Sequence, residues 1–493
     1  MSREFSDEAL DAQLLGYLRD RAEDGAARAR TPEQVVAGMS TVNRAMTWSA
    51  RLALRPIRLA WLVVLGLLVL ALLAALVAGG RLSLPFPTQI VRIAIELPLG
   101  GDDPGAEAVS NGITLALDDA HGQAGRLRIE IPRTAILSDI VGGNPDDQQG
   151  AANMRQIAAD PDVVAVIGPF NSSVAREQMP ISNAAGLLQC SPATTDPQLT
   201  QPAGAEIRPT GSPPSSRANY VRVIGTDDRA ATGAARYVFQ RLRKSSVLIV
   251  DDSQGNGMAM ADWFEAEFGR LGGSVAFRAG LADSSAAIAS MLASARARNP
   301  QAIYFSGAGD RGATLLRAAA EAGMGGIPFI GTDALNDGSA ATPGSFLGLV
   351  GDGAQNAYSV FPGSVNGSRV AAFGERYRAS YGSDPTQFAA LGYTCAQVVI
   401  AAIQQVAANP PTAATGLRDA VRAAGVNPAT TFETIIGPIA FDARGDITQK
   451  QVAVYAFDAS ARAWVYADRS TPPQELGGDE ASLVTIAAAR STI

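Results

Sequence analysis

From Ile90 onward the chain repeats one hydrophobic pattern: a short run of consecutive apolar residues, a break bearing glycine or serine, then a longer stretch with apolar residues at helical spacing. The runs IVRIAIELPLGG, RLRIEIPRTAI, VVAVIGP, LLQCSPATT, SSVLIVDDS, SVAFRAGL, AIYFSGAG and PFIGTDAL read as strands. The stretches between them, such as DDQQGAANMRQIAAD, VAREQMPISNAAG, GMAMADWFEAEFGRLGG and RGATLLRAAAEAGM, read as helices. Strands alternating with helices predict open parallel sheets covered by helices. There are too many units for one sheet. They fall into two groups around ANYVRVIGTDD, Ala218 to Asp228, which reads as a crossover between lobes. A further strand, GAQNAYSVFP, is followed by three helices, a loop IGPIAFDARGDI and a last strand QVAVYAFD.

One apolar run breaks the pattern. Leu59 to Gly80 is 22 residues without a charge, and at helical rise it covers about 30 Å, enough to cross a hydrocarbon core. It is too long for the apolar region of a signal peptide. Arg51, Arg55 and Arg58 precede it, while Arg81 and Arg92 follow. That bias predicts a single-pass anchor with residues 1–58 in the cytoplasm and everything after Gly80 outside. The tail carries two short helical patterns and no visible chemistry. Residues 81–89 are a short proline-bearing linker that keeps the outer domain near the membrane, and residues 469–493 read as a C-terminal tail.

Composition removes several function classes. The formal net charge is −7, with 47 acidic and 40 basic residues, and no basic patch suggests a nucleic acid partner. One histidine, His121, and two cysteines, Cys190 and Cys395, do not make a zinc cluster. Both cysteines sit in apolar runs and read as buried reduced thiols. No GxxxxGK[ST] loop is present, so any ATP use belongs to a partner. The reading calls for no cofactor and no metal.

In open α/β sheets ligands bind at the carboxyl ends of strands. There the chain places ELPLGGDDPG, GPFNSS, SPATTDP, DDSQGNG, SGAGD and GTDAL. Free amides at a helix start, with the hydroxyls of Ser172 and Ser173, suit an anionic group. Thr194 and Thr195 bring hydroxyls and amides, and the Ala193 carbonyl offers an acceptor. Asp333 supplies negative charge from the second lobe. Together these suit a zwitterion. Taken singly, Ser172 also reads as a helix cap and Thr195 as a turn residue. Asp102 and Asp103, near the cleft mouth, read as solvated residues; the alternative is that they repel acidic ligands or attract cationic ones. The pairs Asp227–Asp228 and Asp251–Asp252 read as strand neighbours whose side chains point to opposite faces, and so as unsuited to acid–base catalysis.

The order VVAVIGPFNSSVA…PISNAAGLLQCSPATTDPQLT, with NYVRVIGTDDRAATGAARYV, VLIVDDSQGNGMAMADWFEAEFGRLGGSV, FIGTDAL and FAALGYTCAQVVIAAI, resembles type I periplasmic binding proteins of the branched-chain amino acid family. The resemblance runs from Ile90 to Asp468. It implies two doubly wound parallel α/β lobes joined by three crossovers, here 90–223 with 356–440 and 224–355 with 441–468. It implies capture of an amino acid or similar small polar ligand between the lobes, no enzymatic turnover, and delivery to the permease of an ATP-binding-cassette (ABC) importer. Ser172, Ala193 and Thr195 fall on ligand-binding positions, and Asp333 falls where the family has a glutamate that receives the ammonium. Asn256 stands where an aromatic residue is frequent, and Ala308 where a tyrosine is. Losing both rings leaves room for a larger or more polar solute. A ligand-sensing receptor that signals through residues 1–58 is the alternative.

Overall fold

The computed structural model describes residues 89–101, 104–200, 218–409, 411 and 414–470, all within the compact unit Pro85–Ile493. The expected cytoplasmic tail, the membrane span at 59–80, the linker up to residue 88, Asp102, Asp103 and the tail from residue 471 lie outside the described residues.

The first sheet is built from β1 (Gln89–Leu97), β2 (Leu127–Glu130), β3 (Val163–Ile167), β4 (Leu188–Ser191) and β5 (Tyr220–Arg222), parallel and in the order β2–β1–β3–β4–β5. A strand buried on both faces needs apolar residues at every position, and all five residues of β3 are buried. Its helices include α1 (Pro104–Asp119), α2 (Asp147–Ala159) and α3 (Ser172–Ala184).

The chain then crosses to a second sheet. Helix α4 (Asp227–Arg236) leads to β6 (Ser246–Asp251), α5 (Gly255–Arg270), β7 (Ser274–Gly280), α6 (Ser285–Arg296), β8 (Ala302–Ser306), α7 (Gly309–Glu321), β9 (Phe329–Gly331) and β10 (Ala357–Phe361). After a return to the first lobe through α8 (Ser368–Tyr381), α9 (Gln387–Ala407) and α10 (Ala414–Gly425), the chain adds β11 (Val452–Asp458) and β12 (Ala463–Ser470) to the second sheet. The order is β7–β6–β8–β9–β10–β11–β12, with the last two strands antiparallel to their neighbours. Each sheet reverses direction beside its first strand, between β1 and β3 and between β6 and β8. Such reversals open a crevice at the carboxyl ends of the strands.

Three sequence expectations change. Residues 356–361 were expected to open the return to lobe one. Instead β10 lies inside the second sheet between β9 and β11, because its buried run completes a parallel pair with β9 before the chain leaves. The crossovers therefore fall at 223–226, 362–367 and 442–451. The segment expected as a loop at 436–447 begins with a hairpin arm, Phe432–Thr434 paired with Gly437–Ile439. Cys190 and Cys395 are not free thiols: they form a disulfide that joins β4 to α9.

Among the described residues one helix, α9, is long and apolar enough to cross a membrane, but most of it is buried in the first-lobe core. Most of its circumference is apolar because most of it is packed, while Gln404 and Gln405 stand exposed. Thr386 caps it, accepting from the Ala389 amide at 3.3 Å. Glycines let α9 approach α1 closely. A Cβ on Gly112 would lie 2.0 Å from the Ala389 carbonyl oxygen, and one on Gly392 would lie 2.4 Å from that of Val109.

Candidate functional site

A cleft of about 890 Å³ lies between the lobes, lined by loops at the carboxyl ends of strands in both sheets. On the first-lobe side the chain leaves β3 through Gly168, whose φ of +133° and 1.9 Å virtual Cβ contact with the Glu96 carbonyl oxygen admit no side chain. Helix α3 then begins with Asn171 at its N-cap, without a side-chain cap bond. The first-turn amides of α3 are therefore left to other partners.

Ser172 ties two loops together. Its Oγ accepts from the Thr195 amide at 3.2 Å and the Asp196 amide at 3.3 Å, which leaves its hydroxyl proton to donate. Behind it, Ser191 Oγ donates to the Pro169 carbonyl at 2.9 Å and accepts from the Thr194 amide and hydroxyl. Arg222, fully buried at the end of β5, supports the same loop. It donates to the carbonyls of Thr194 (3.3 Å) and Asp196 (2.8 Å), to Thr200 Oγ1 (2.7 Å) and to Asp446 Oδ1 (2.7 Å). The Arg222 amide also donates to the Gly445 carbonyl at 3.0 Å and the Gly225 amide to the Pro362 carbonyl at 2.7 Å, so the three crossovers are laced side by side.

Of the eight residues expected at the site, Ser172, Ser173, Ala193, Thr195, Asn256, Ala308 and Asp333 line the cleft. Thr194 does not. It is fully buried, with its hydroxyl bonded to Ser191 Oγ and to the Tyr220 hydroxyl, so it shapes the loop from beneath. The expected aromatic walls are supplied from elsewhere. Phe170 and Phe388, with ring centroids 5.0 Å apart, and Met260 and Trp263 on α5 all line the space.

Asp227 is the residue that sequence reasoning passed over. It was set aside with Asp228 as a strand pair, but it is the first residue of α4, 1% exposed, and it lines the cleft. Its amide donates to the Thr195 carbonyl at 3.0 Å, and its Oδ2 has no partner among the described residues. Burial pushes its carboxyl up to about 7, the charge of Asp333 pushes the same way, and hydrogen bonds from Thr195 and Asn256 pull it back. Burial likewise pushes Asp333 up, to about 6, against the opposing pull of the Asp333 and Ala334 amides. The signal was present in the sequence. Ile224–Asp227 and Ile330–Asp333 are both IGTD, and in each the threonine is the N-cap and the aspartate the first residue of a helical turn. The Asp251–Asp252 reading fits the structure: Asp251 is 5% exposed at the end of β6, while Asp252 lines the cleft.

Chemically, the cleft offers hydroxyl and amide donors from the first lobe and, across from them, a pair of carboxylates, buried Asp227 and half-buried Asp333. A periplasmic binding protein family model matches residues 91–462, and the chain belongs to that family. Leu/Ile/Val-binding protein homolog 1 of Brucella abortus is 23% identical over 375 residues, which cover 75% of this chain and 91% of that protein. The leucine-binding protein LivK from Thermotoga maritima superposes with a TM-score of 0.63 at 21% identity, covering 78% of this chain and all of that one. A solute-binding protein from R. palustris in complex with benzoate superposes with a TM-score of 0.61 at 19% identity, covering 78% and 97%. At these identities the solved structures share the fold, and their ligands differ in class.

Proposed function

We propose that this chain is a membrane-tethered, extracytoplasmic solute-binding protein that captures an amino acid-like ligand between its lobes and presents it to the permease of an ABC importer. The observation that carries this reading is the pairing of unlike walls across one cleft. Ser172 and the uncapped first turn of α3 face it from the first lobe; Asp227 and Asp333 face it from the second. A ligand carboxylate is held by the Ser172 hydroxyl and the α3 amides, where the helix dipole favours negative charge. The α-ammonium is received by the Ala193 carbonyl and the aspartate pair. Ser173, Asn256 and Ala308 form the rim, with Thr195 bridging the lobes through Asp227. Closure proceeds by hinge motion at the three crossovers and expels water from around the charges. The apolar segment 59–80 supplies the tether, which holds the receptor at high local concentration beside its permease.

The test is isothermal titration of the purified chain with a panel of amino acids. Asp333→Ala is expected to weaken binding by about 2–5 kcal/mol, the range for truncating one partner of a buried charge pair. The rim substitution Ser173→Ala is expected to change it by less than about 0.5 kcal/mol. Equal effects of the two substitutions would refute the assignment of Asp333.

A further inference from the structure

The charges around the cleft do not balance. Its lining carries six aspartates, Asp196, Asp227, Asp252, Asp310, Asp333 and Asp337, against one arginine, Arg176. Arg176 is already spent on Asp196, with an ion pair at 2.6 Å. Asp337 accepts the Phe346 amide through both oxygens, at 3.0 and 3.1 Å. The remaining four acids all stand on the second-lobe side of the cleft: Asp227 and Asp310 in the first turns of α4 and α7, Asp333 after β9, and Asp252 in the turn between β6 and α5, where its Oδ1 accepts the Gln254 amide at 3.0 Å.

Among the described residues, the unpartnered buried atoms of the cleft wall are two acceptors and one donor, Trp263 Nε1. Asp227 is 1% exposed, and its Oδ2 has no hydrogen-bond partner among the described residues. Asn171 Oδ1, at the opposite wall, is also buried and without a partner among the described residues. The two acceptors call for ligand donors, and Trp263 Nε1 calls for a ligand acceptor. A zwitterionic aliphatic amino acid brings one ammonium, which answers the Asp227–Asp333 pair but adds no net charge. The acids are also spread out: among the described residues no group of three or more of them converges as metal ligands. The complement is an extended organic cation.

We infer that the ligand carries a second positive charge, so that the cleft takes a basic amino acid with its side-chain ammonium or guanidinium lodged against Asp252 and Asp310. These two acids belong together. Asp252 packs on Gly307, where a Cβ would lie 2.5 Å from the Asp252 Cβ, and Asp310 stands in the first turn of the helix that follows. Between them Asn256 and Ala308 leave open the space that two rings would fill, which is room for a long side chain. Trp263 lines the same cleft, and an indole face attracts a cation further.

This inference rests on the reading of the cleft as an amino acid site, and the experiment separates the two. The full chain is titrated with L-arginine, L-lysine, L-leucine and L-glutamate at low salt, then with arginine and leucine at high salt. Arginine or lysine is expected to bind at least tenfold more tightly than leucine, with no binding of glutamate, and the advantage is expected to shrink as salt screens the charges. In an Asp252→Asn/Asp310→Asn variant the arginine-to-leucine ratio is expected to fall to within about threefold, with residual binding reporting that the variant is folded. Leucine binding as tightly as arginine and lysine would overturn the inference and leave the amino acid site standing. So would a variant that lowers both affinities alike. Failure of every amino acid to bind would overturn both.

Discussion

Glu96→Gln is expected to stabilise the protein at neutral pH, and the size of the effect follows from what surrounds Glu96. The residue sits near the end of β1, fully buried, with Oε1 accepting from Asn153 Nδ2 at 3.1 Å and Oε2 without a partner among the described residues. Asp139 beside it is also fully buried, and neither of its oxygens has a partner among the described residues. Burial pushes Glu96 up to about 8, and the neighbouring Asp139 adds to it, against hydrogen bonds from Gln178 and Asn153. Asp139 is itself pushed up to about 6 by burial, with Asp147 and Asp146 adding to it. The unfolded chain releases the Glu96 proton near pH 4.5, whereas the folded chain keeps it to about pH 8. Between those values the folded state binds the extra proton, so stability falls as pH rises. At about 1.4 kcal/mol for each pH unit above 4.5, the cost reaches about 3 kcal/mol at pH 7. Glutamine keeps the shape, does not titrate, and offers N–H donors beside Asp139. For the roughly 380 residues from Gln89 to Ser470, that energy corresponds to a melting temperature about 4 °C higher at pH 7 and about 1 °C higher at pH 5. Thermal unfolding followed by circular dichroism across pH 5–8 measures both. A variant that melts below the parent at pH 7, or by the same margin at pH 5 and pH 7, would refute the account.

Binding itself is expected to weaken on acidification. Asp227 and Asp333 both hold protons more strongly than ordinary aspartates, and those protons must leave before an ammonium can dock. Arginine affinity at pH 5 is expected to be at least about tenfold below that at pH 7.5, with proton release visible as a buffer-dependent enthalpy; a flat profile would contradict the pair's role. The Cys190–Cys395 bond closes a loop with a sequence separation of 205, so a Cys190→Ala/Cys395→Ala variant is expected to lose up to about 5 kcal/mol of stability on a chain-entropy account. Thiol titration of the parent under denaturing conditions should find neither cysteine free. Gly112→Val would press α1 against the Ala389 carbonyl and is expected to cost about 1–3 kcal/mol, read as a lower urea midpoint.

Much of the architecture was legible because buried parallel strands and their covering helices differ so sharply in hydrophobic period. The strand at Val163–Ile167 stands where the pattern put it, and the helix read from Val174 onward begins two residues earlier, at Ser172. What failed had particular causes. Thr194 and Thr195 are adjacent and both polar, and only the Ser191–Tyr220 hydroxyl network beneath the loop decides that Thr194 turns inward. Cys190 and Cys395 are remote in sequence, so the contact that joins them depends on α9 returning to the first lobe after the whole second lobe has been built. Asp227 was missed because the strand run was carried through Thr226, which is where the helix cap sits. Comparing its IGTD with the identical tetrapeptide at Asp333 would have exposed the second acid.

Arg222 gives the fold a mechanical property. One guanidinium grips the floor of the ligand loop through the Thr194 and Asp196 carbonyls and, at the same time, Asp446 on the returning connection. In the proposed closure, the axle about which the second lobe would swing is thereby bolted to the shelf on which the ligand would rest. Opening and closing can then proceed as a door moves on a fixed frame, with the first-lobe contacts keeping their positions while the acid-bearing wall travels. The same bolt makes the shelf a shared part of grip and motion, so a substitution at Arg222 would loosen both together.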